Sequence, residues 1–578
     1  MSLPSQTFNY KIRLIAVSIG FLIIIIIGRL AYLQIFLNNR LLQLSEKNFL
    51  RFEHILSPRG NIFDCHGNIL ATNRPVTSIV WNGSGSKQLL PSHHQLLETI
   101  HQIIDKPFHH TATLSAIAHA EKTAKKIVLI SDISFDQLSK IIELYPNHPT
   151  IEIATHFKRF YPHQTLASHI LGYITQINVE TMGKMGLEKM LEEVLQGIPG
   201  QNLNIINSLG TNLHTQEIKK ALAGENITTT LDLSLQKLVE LNFPENQKGT
   251  FIILDPKTGA LKALLSRPNF DPSTFLNPIT QNEWQLLQEH RPFLNRSLNA
   301  CYPPASIFKL VTISAAMEHH LLAPDTIIHC RGSMRFKGRP YHCARQEGHG
   351  PVSIEDSLAQ SCNILFFELA KKISIDMLAD YAHRFGLGEK TNIIFPENEG
   401  LIPTSRWKLE KKRERWWPGD TISAVIGQSY LLVTPMQIAC MIGSIFEGYR
   451  VKPRILENEP IIKIPVPIQT STRDFLKHAM RMVTLHGTAI NVSKLRDITV
   501  YSKTGTAQTS SLDKREQGIQ YMEHAWYVSY FNYKDKNPLV LVILVENVGS
   551  SKTATSIAKK FFINYRDLLE NVHTEKIT

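Results

Sequence analysis

A serine and a lysine stand three residues apart in the segment YPPASIFKLV, Tyr302–Val311, directly behind two prolines. Proline disfavours helix in the residue before it and allows a helix to begin just after it, so Ser306 is predicted in a first helical turn, with Lys309 one turn later on the same face. A serine hydroxyl is a poor nucleophile unless a base takes its proton, and a lysine desolvated by apolar neighbours has a lowered pKa that suits this task. The same pattern also describes an ordinary helix N-terminus followed by a surface lysine.

Two further motifs of the same chemical kind follow in the chain. SCN, Ser361–Asn363, lies in a predicted second helix, and KTGT, Lys503–Thr506, follows the strand-like residues TVYS. Such a strand presents its backbone to an extended peptide, and the small Gly505 lets that peptide approach closely. The lysine and threonine side chains of KTGT supply hydrogen-bond donors for a carboxylate. Each motif is weak alone, but the three in this order indicate serine acyl transfer.

The rest of the chain must supply the elements that hold these motifs. Its 578 residues are too many for one compact core, so two or three domains are predicted, and 43% hydrophobic with 19% charged residues is a globular composition. The net charge of +12 fits nucleic acid, an anionic membrane surface or simply a lysine-rich surface. Because no nucleic-acid-binding motif accompanies the charge, no nucleic-acid partner is expected.

One segment is apolar enough to cross a membrane. Leu14–Leu37 contains a single charge, Arg29, and at about 1.5 Å per residue it is long enough for a hydrocarbon core of roughly 30 Å. The run exceeds the usual core of a cleaved signal peptide and no A-x-A-like site follows, which favours an anchor over a signal peptide; a buried soluble helix is the other alternative. Basic residues stand on both sides of the segment, so their count does not decide its orientation.

The order of predicted elements indicates an α+β domain from about residue 240 to about residue 575. Gly249–Ser266 predicts two strands joined by a turn, and HAWYVSYFN with PLVLVILVEN predicts another strand pair near the other end. Helices are predicted between the two pairs, over 306–322 and 354–373. Further upstream, GLEKMLEEVLQGIPG (186–200) predicts an amphipathic helix that Gly197 and the following Pro199 end.

Longer blocks resemble a known family, the class B penicillin-binding proteins. RGNIFDCHGNILATN (59–73) resembles the R-G-x-I-x-D-x-x-G-x-x-L-A-x-N start of that family's pedestal domain, and RFYPHQTLASHILGYI (159–174) resembles a later pedestal block. LNRSLNACYPPAS leads into the serine, and IGQSYLLVTPMQIA (426–439) is similar to the family's I-G-Q-G-x-x-x-x-T-P-x-Q. WWPGDT (416–421) is more similar to the elongation type, penicillin-binding protein 2, than to the septal type. The resemblance covers almost the whole chain.

The resemblance implies a specific architecture. It consists of a single N-terminal transmembrane helix, an elongated pedestal (dimerisation-type) domain, and a serine transpeptidase domain of the penicillin-binding and β-lactamase-like kind, with a central antiparallel sheet flanked by helices. We expect the protein in the bacterial inner membrane, with its N-terminus in the cytoplasm and its bulk in the periplasm. The expected divisions are a cytoplasmic tail over 1–13, the transmembrane helix over 14–37, the pedestal over 38–235 and the transpeptidase domain over 236–570.

The resemblance also assigns roles to the motif residues. Ser306 would attack the D-Ala–D-Ala carbonyl of a peptidoglycan stem peptide, with Lys309 as its base. Ser361 with Lys503 would relay a proton to the leaving amine, and Asn363 would hold the substrate. Backbone N–H groups of Ser306 and Thr506 would form an oxyanion hole. The KTGT strand, Thr504, Gly505 and Thr506, would bind the substrate, its two threonine hydroxyls taking the terminal carboxylate.

The implied function is serine-type D,D-transpeptidation during lateral wall elongation, which maintains cell shape. The acyl transfer is carboxypeptidase-like, of the hydrolase kind, and β-lactams would acylate the same serine. Expected partners are stem peptides on lipid-linked nascent glycan, a SEDS-family polymerase of the RodA type, and other membrane proteins of the elongation complex. Alternatives are a septal transpeptidase of the same chemistry, a catalytically silent penicillin-binding scaffold or sensor, and a hydrolytic β-lactamase.

Three cysteines surround one histidine in the same region: Cys330, Cys343, His349 and Cys362. Three thiolates and an imidazole suit tetrahedral zinc, although a Cys330–Cys343 disulfide beside a buried Cys362 is the alternative for a protein outside the inner membrane. The resemblance adds weight to zinc, because relatives of the elongation type have a metal site with a ligand inside the second motif. One structural Zn²⁺ is therefore expected, and no organic cofactor.

Two residues depart from the family's usual pattern, and one basic run has no assigned role. Ala305 stands where the family often has glycine, and Ser502 replaces the usual glycine before KTGT. The basic run KLEKKRER (408–415) is most simply a solvated loop, and it could also touch anionic glycan or lipid headgroups.

Overall fold

The computed structural model describes residues 5–55, 57–104, 110–146, 148–177, 180–206, 212–276, 279–323, 325–509 and 517–575. Residues 1–4 of the predicted cytoplasmic tail lie outside the described residues. The described α-helices are α1 Ser5–Ala31, α2 Asn38–Phe49, α3 Pro91–Ile104, α4 His110–Thr123, α5 Phe135–Leu144, α6 Ser168–Leu171, α7 Gly186–Met190, α8 Glu192–Leu195, α9 Leu233–Asn242, α10 Gln281–His290, α11 Lys309–Glu318, α12 Ile354–Ala359, α13 Ile364–Leu369, α14 Ile375–Arg384, α15 Ser405–Lys412, α16 Pro418–Ala424, α17 Pro435–Glu447, α18 Thr470–Leu485 and α19 Ser551–Glu575. The described strands are β1 Leu50–Ile55, β2 Ile62–Phe63, β3 Ile69–Asn82, β4 Lys126–Ser131, β5 Ile151–Phe160, β6 Ile174–Ile177, β7 Glu180–Gly183, β8 Gly200–Ile206, β9 Asn212–Lys219, β10 Ile227–Thr228, β11 Gly249–Leu254, β12 Leu261–Arg267, β13 Ile327–Cys330, β14 Ser333–Phe336, β15 Arg339–His342, β16 Gly350–Ser353, β17 Tyr449–Val451, β18 Lys463–Pro465, β19 Ile498–Ala507, β20 His524–Tyr533 and β21 Leu539–Val545.

The N-terminal apolar segment is helical. Helix α1 continues into a π-helical turn, Tyr32–Phe36. The stretch Tyr10–Phe36 is long and apolar enough to cross a membrane, judged by its length and composition. Its apolar side chains are exposed rather than packed into a protein core, which is compatible with a single membrane anchor.

The described chain forms two compact units. The predicted divisions at 38–235 and 236–570 stay a prediction, because each unit gathers separate stretches of the chain. The first unit comprises Met1–Pro58, Pro75–Phe157 and Gly197–Gly224; the second comprises Arg59–Arg74, Lys158–Gln196 and Glu225–Thr578.

The first unit contains two sheet regions. Strands β1, β8 and β9 form one antiparallel sheet in that order. The end of β3 pairs with β4, where Ser78 faces Ser131 and Asn82 faces Lys126. Helices α3, α4 and α5 contribute to the core beside this second sheet, in which Trp81 and Ile100 are fully buried.

The second unit is built on a five-stranded antiparallel sheet, in the order β12-β11-β21-β20-β19. The predicted strand pairs near residues 249–266 and 524–545 are confirmed as its core. Every residue of β21 is buried, because both faces of the sheet are covered. Phe251 and Ile253 pack into the cluster that includes α9 and α19, whereas Ile252 and Leu254 pack into the one that includes α11 and α17. The predicted α+β class with a central antiparallel sheet flanked by helices is confirmed, and β19 lies at the open edge of the sheet.

The helix predicted within 186–200 ends before Gly197, as expected, but it is not continuous. The structure has two short helices, α7 and α8, separated at Leu191. The hydrophobic pattern did not predict that Glu188 would be buried, where it accepts hydrogen bonds from Arg59 Nε (2.6 Å), Arg159 Nε (2.7 Å) and the Tyr161 hydroxyl (3.2 Å). Two guanidinium groups therefore surround one buried carboxylate at this segment, and charge-assisted hydrogen bonds hold it in place.

Candidate active site

The nucleophile motif lies at the start of α11, as its sequence predicts. A 3₁₀ turn, Ala305–Ile307, precedes the α-helix that begins at Lys309. Ala305 adopts a left-handed conformation with φ 50°, and its N–H donates to the carbonyl of Gly427 at 2.9 Å. A Cβ on Gly427, whose φ is 75°, would collide with the Ala305 carbonyl. The family-like IGQ loop therefore buttresses the turn that carries Ser306.

The second motif lies in a break between two helices, which corrects the continuous helix predicted over 354–373. Helix α12 ends at Ala359 and α13 begins at Ile364, and Ser361 between them is left-handed with φ 56°. Helix α12 is capped by Ser353, whose Oγ accepts from the Asp356 N–H at 3.0 Å. The break presents backbone carbonyls of the motif to the side chain of Lys309, which a continuous helix would use internally.

Lys309 connects the first motif to the second. Its side chain is buried, and its Nζ donates to the Ser361 carbonyl (2.9 Å), the Cys362 carbonyl (3.2 Å) and Asn363 Oδ1 (2.8 Å). The same Nζ lies 3.2 Å from Ser361 Oγ and 4.9 Å from the centre of the Phe366 ring. The lysine is therefore held in one position by groups of the SCN motif.

Ser361 lies between the lysine and the candidate nucleophile. Its hydroxyl donates to Ser306 Oγ at 2.9 Å. Within the described residues, no direct hydrogen bond joins Lys309 Nζ to Ser306 Oγ. Two hydrogen bonds thus form a continuous line from Lys309 Nζ through Ser361 Oγ to Ser306 Oγ.

Burial changes the acidity of both lysines of the site. It lowers the pKa of Lys309 from 10.5 to about 7, although the negative charges of Cys362 and Cys343 act in the opposite direction. Burial and the neighbouring Lys309 charge lower the pKa of Lys503 well below 10.5. A lysine with a pKa near neutrality is neutral often enough to accept a proton, as a general base must.

The third motif lies on β19 beside the nucleophile turn. A Cβ on Gly505 would lie 3.5 Å from the side chains of Ala305 and Ile307, so the strand passes the turn closely. Lys503 is buried, and its Nζ donates to the Thr504 carbonyl at 3.1 Å. No hydrogen bond from Lys503 to Ser361 is present in the described part of the chain.

The two threonines of the third motif differ in their surroundings. Thr504 is buried and its hydroxyl lies 2.5 Å from the hydroxyl of Thr488, whereas Thr506 is exposed. The sequence analysis did not predict a role for Thr488. This threonine follows Gly487 just beyond the end of α18, and no motif marks it. The side-chain amide of Gln428 donates to the Thr506 carbonyl at 3.4 Å.

The serine that replaces the usual glycine before KTGT is accommodated by other hydroxyls. Ser502 is fully buried, and its Oγ lies 3.0 Å from Thr484 Oγ1 and 2.9 Å from the Tyr527 hydroxyl. These three hydroxyls satisfy one another behind the strand. The serine at this position is therefore accommodated without leaving its buried hydroxyl unpaired.

The four candidate metal ligands come together. Their ligand atoms, on Cys330, Cys343, His349 and Cys362, all lie within 4.8 Å of one another. His349 Nδ1 is 3.5 Å from the sulfurs of Cys330 and Cys343, and the Cys343 and Cys362 sulfurs are 3.9 Å apart. Tetrahedral zinc with bonds of about 2.3 Å to sulfur and 2.0 Å to nitrogen places ligand atoms roughly 3.5–3.8 Å apart, so the donor set fits this ion.

The same cluster is not arranged as a disulfide. All six cysteines are free, including Cys330 and Cys343, the pair of the disulfide alternative, and the Cys343 and Cys362 sulfurs are also far from a bond of about 2.05 Å. The Asn363 N–H donates to Cys343 Sγ at 3.4 Å, which joins the cluster to the second motif.

Two family descriptions match this chain. The penicillin-binding protein transpeptidase domain matches residues 249–563, and the penicillin-binding protein dimerisation domain matches residues 54–229. The first match covers more than half of the chain. The chain belongs to the penicillin-binding protein transpeptidase family, which confirms the resemblance drawn from its motifs.

Individual relatives agree with this family. The peptidoglycan D,D-transpeptidase MrdA of Acinetobacter baumannii is 27% identical over 93% of this chain and 85% of its own length. In a solved complex of the penicillin-binding protein PBP2 with MreC from Helicobacter pylori, the similar chain has 26% identity and a TM-score of 0.77, with 90% of this chain and 99% of that chain covered. A chain of a solved peptidoglycan synthase complex that coordinates polymerization and crosslinking has 28% identity and a TM-score of 0.71, with 95% of this chain and 97% of that chain covered.

Proposed function

We propose that this protein is a peptidoglycan D,D-transpeptidase of lateral wall elongation. The observation that carries the proposal is the line from Lys309 Nζ through Ser361 Oγ to Ser306 Oγ, set beside the open edge of β19. Such a line can take a proton from a serine, and an open strand edge can bind an extended peptide. The similarity to MrdA and PBP2 proteins favours elongation over septation.

Acylation would begin with the stem peptide lying along β19. Its terminal carboxylate would be taken by the Thr504 and Thr506 hydroxyls, with Gly505 allowing the close approach. Ser306 Oγ attacks the carbonyl of the penultimate D-Ala while its proton passes to Ser361 Oγ, whose own proton passes to neutral Lys309. The backbone N–H groups of Ser306 and Thr506 would stabilise the oxyanion.

Collapse of the tetrahedral intermediate would release the terminal D-Ala. The proton held by Lys309 returns through Ser361 to the leaving amine, with Lys503 as the neighbouring member of this relay. Asn363, held by Lys309, would orient the substrate amide. An amine of a neighbouring stem peptide then attacks the ester on Ser306, which completes the crosslink and restores the serine.

The proposed reaction predicts a measurable exchange. The full-length chain in detergent, given a pentapeptide substrate and an acceptor amino acid, should release D-Ala and form the transfer product. Ser306→Ala should do neither. Release of D-Ala without any transfer product would favour a hydrolytic enzyme, and neither product from a folded wild type would favour the silent scaffold.

We further propose that Cys330, Cys343, His349 and Cys362 hold one structural zinc ion. The ion would supply a rigid bond between segment 330–349 and the second motif, through Cys362. Metal analysis of the purified full chain should then give about one zinc per chain, and Cys343→Ser should lose it. Cys440→Ser, which changes a buried cysteine outside the cluster, should keep the metal. A stable disulfide without metal would contradict the proposal.

The anchor and partners belong to the same proposal. The helix Tyr10–Phe36 would hold the chain in the inner membrane with its N-terminus in the cytoplasm and its bulk in the periplasm. A SEDS-family polymerase of the RodA type, acting on lipid-linked glycan with other membrane proteins of the elongation complex, would supply the strands. Co-purification of the full chain with such a polymerase tests the partnership, and pairing with the division-type polymerase instead would favour the septal alternative.

A further inference from the structure

A strongly basic hairpin stands next to the second motif and has no part in the proposed mechanism. Strands β14 and β15 pair antiparallel, with Arg335 opposite Pro340 and Phe336 opposite Arg339. The side chains of Met334, Phe336 and Tyr341 join the core, so one face of the hairpin is fixed. The other face and the turn between the strands point to solvent.

The cations of this hairpin are exposed and lack acidic partners. The stretch 331–347 contains five lysines and arginines and one acid, Glu347. Arg335, Lys337 and Arg339 are all exposed. Within the described ranges, none of the three forms an ion pair. Unpaired cations concentrated on one surface create a field that attracts anions.

A second basic segment adjoins the hairpin. The residues 405–417 carry six lysines and arginines and two glutamates. The Tyr341 hydroxyl of the hairpin lies 3.1 Å from where a Cβ on Gly419 would stand, so the hairpin contacts the chain two residues beyond this segment. Trp417 is exposed, and the Arg415 guanidinium lies 3.9 Å from the centre of its ring. An exposed aromatic face held by a guanidinium is suited to stack on a sugar ring.

Both segments are tied directly to the active site. The Asn363 side-chain amide donates to the His342 carbonyl at the end of the hairpin (3.2 Å). Tyr430, in the loop that buttresses the nucleophile turn, lies 5.6 Å from Lys408 Nζ and 5.2 Å from the Trp407 ring. A ligand lying on the two segments would therefore reach the motif that carries Asn363.

We propose that this basic rim, formed by residues 331–345 and 405–417, binds the uncross-linked peptidoglycan strand that brings acceptor stem peptides to the site. The inference rests on the proposed function, because it names the second substrate of the same reaction. Each stem peptide ends in a carboxylate, so an uncross-linked strand is a regular polyanion that complements the rim. The exposed tryptophan adds a platform for its sugars.

The test uses the full-length chain in detergent and soluble, lipid-free, uncross-linked glycan strands that carry pentapeptides. The variant changes Arg335→Glu, Lys337→Glu and Arg339→Glu together. The matched control changes Lys552→Glu, Lys559→Glu and Lys560→Glu, three exposed cations of α19. The strand affinity of the hairpin variant should fall about tenfold or more at low salt, and the control should stay within about twofold of wild type. Wild-type affinity should also fall as salt is raised from ~0.05 to ~0.3 M.

Several results would overturn the proposal. They are equal strand affinity of the hairpin variant and wild type, an equal loss in the α19 control, and wild-type binding that does not respond to salt. A hairpin variant that loses binding only to anionic phospholipid vesicles would assign the rim to a membrane surface instead. Labelling by a fluorescent penicillin, a probe that needs no acceptor, is measured on the same samples. Failure of wild type to label would count against the proposed function, while the strand-binding comparison would still decide the rim.

Discussion

The position of Ser361 makes the proton route testable by one substitution, Ser361→Ala. The hydroxyl of Ser361 lies 2.9 Å from Ser306 Oγ and 3.2 Å from Lys309 Nζ, so its removal interrupts the line between base and nucleophile. If the proton passes through Ser361, the variant loses general-base assistance, which is worth roughly 10²–10⁴-fold, or about 3–5 kcal/mol in the barrier. If Lys309 acts directly on Ser306, the variant loses only a hydrogen bond, worth about 0.5–1.5 kcal/mol and at most roughly tenfold.

The assay is the second-order rate constant for acylation by a chromogenic or fluorescent β-lactam, followed by stopped flow. Ser353→Ala is the matched control, because it also removes one serine hydroxyl from the same helix region. That substitution removes the cap of α12 and should cost about 1 kcal/mol of stability, with little change in the acylation rate. An acylation rate of Ser361→Ala within tenfold of wild type, on a folded protein, would refute the relay and leave Lys309 as a direct base.

Two further predictions concern stability. Glu188→Gln leaves the fully buried guanidinium of Arg159 without its carboxylate partner and should lower the free energy of unfolding of the second unit by about 3–5 kcal/mol. The control Glu192→Gln changes a side chain that is 24% exposed and should cost about 1 kcal/mol. Denaturant unfolding of both variants measures these losses, and equal losses would contradict the reasoning. Burial lowers the pKa of His169 to about 4, although its hydrogen bond to the Pro292 carbonyl (2.7 Å) acts in the opposite direction. The unfolded chain, with a pKa near 6.5, then binds a proton that the folded chain does not, so stability should fall by up to about 3 kcal/mol as the pH drops from 6.5 towards 4. His169→Gln should remove this part of the pH dependence in unfolding titrations, and an unchanged slope would show that other groups cause it.

The motifs could be predicted from the sequence because their chemistry depends on residue type and order along the chain. Ser306 and Lys309 follow two prolines, and proline restricts the backbone locally, so their place at a helix start needs no tertiary information. Strand β21 is a continuous apolar run and β11 ends in one, which is the pattern of strands covered on both faces.

The features that the sequence did not predict depend on tertiary contacts. The left-handed conformation of Ser361 breaks a segment whose hydrophobic pattern is helical, and it is stabilised by Lys309 from another helix. Glu188 interrupts an apolar helix face because two arginines distant in the chain pair with it. Thr488 carries no distinctive pattern, and only the fold brings its hydroxyl to Thr504. Local propensity predicts elements well when no long-range polar group competes with it.

The central claim is that Ser306 is the nucleophile, and one experiment tests it most directly. The full-length chain is incubated with a fluorescent penicillin, separated on a denaturing gel, and digested so that mass spectrometry locates the adduct. The account predicts a covalent label on the peptide that contains Ser306, and no label on Ser306→Ala. A label that persists in Ser306→Ala, or a folded wild type that never acquires one, would contradict it.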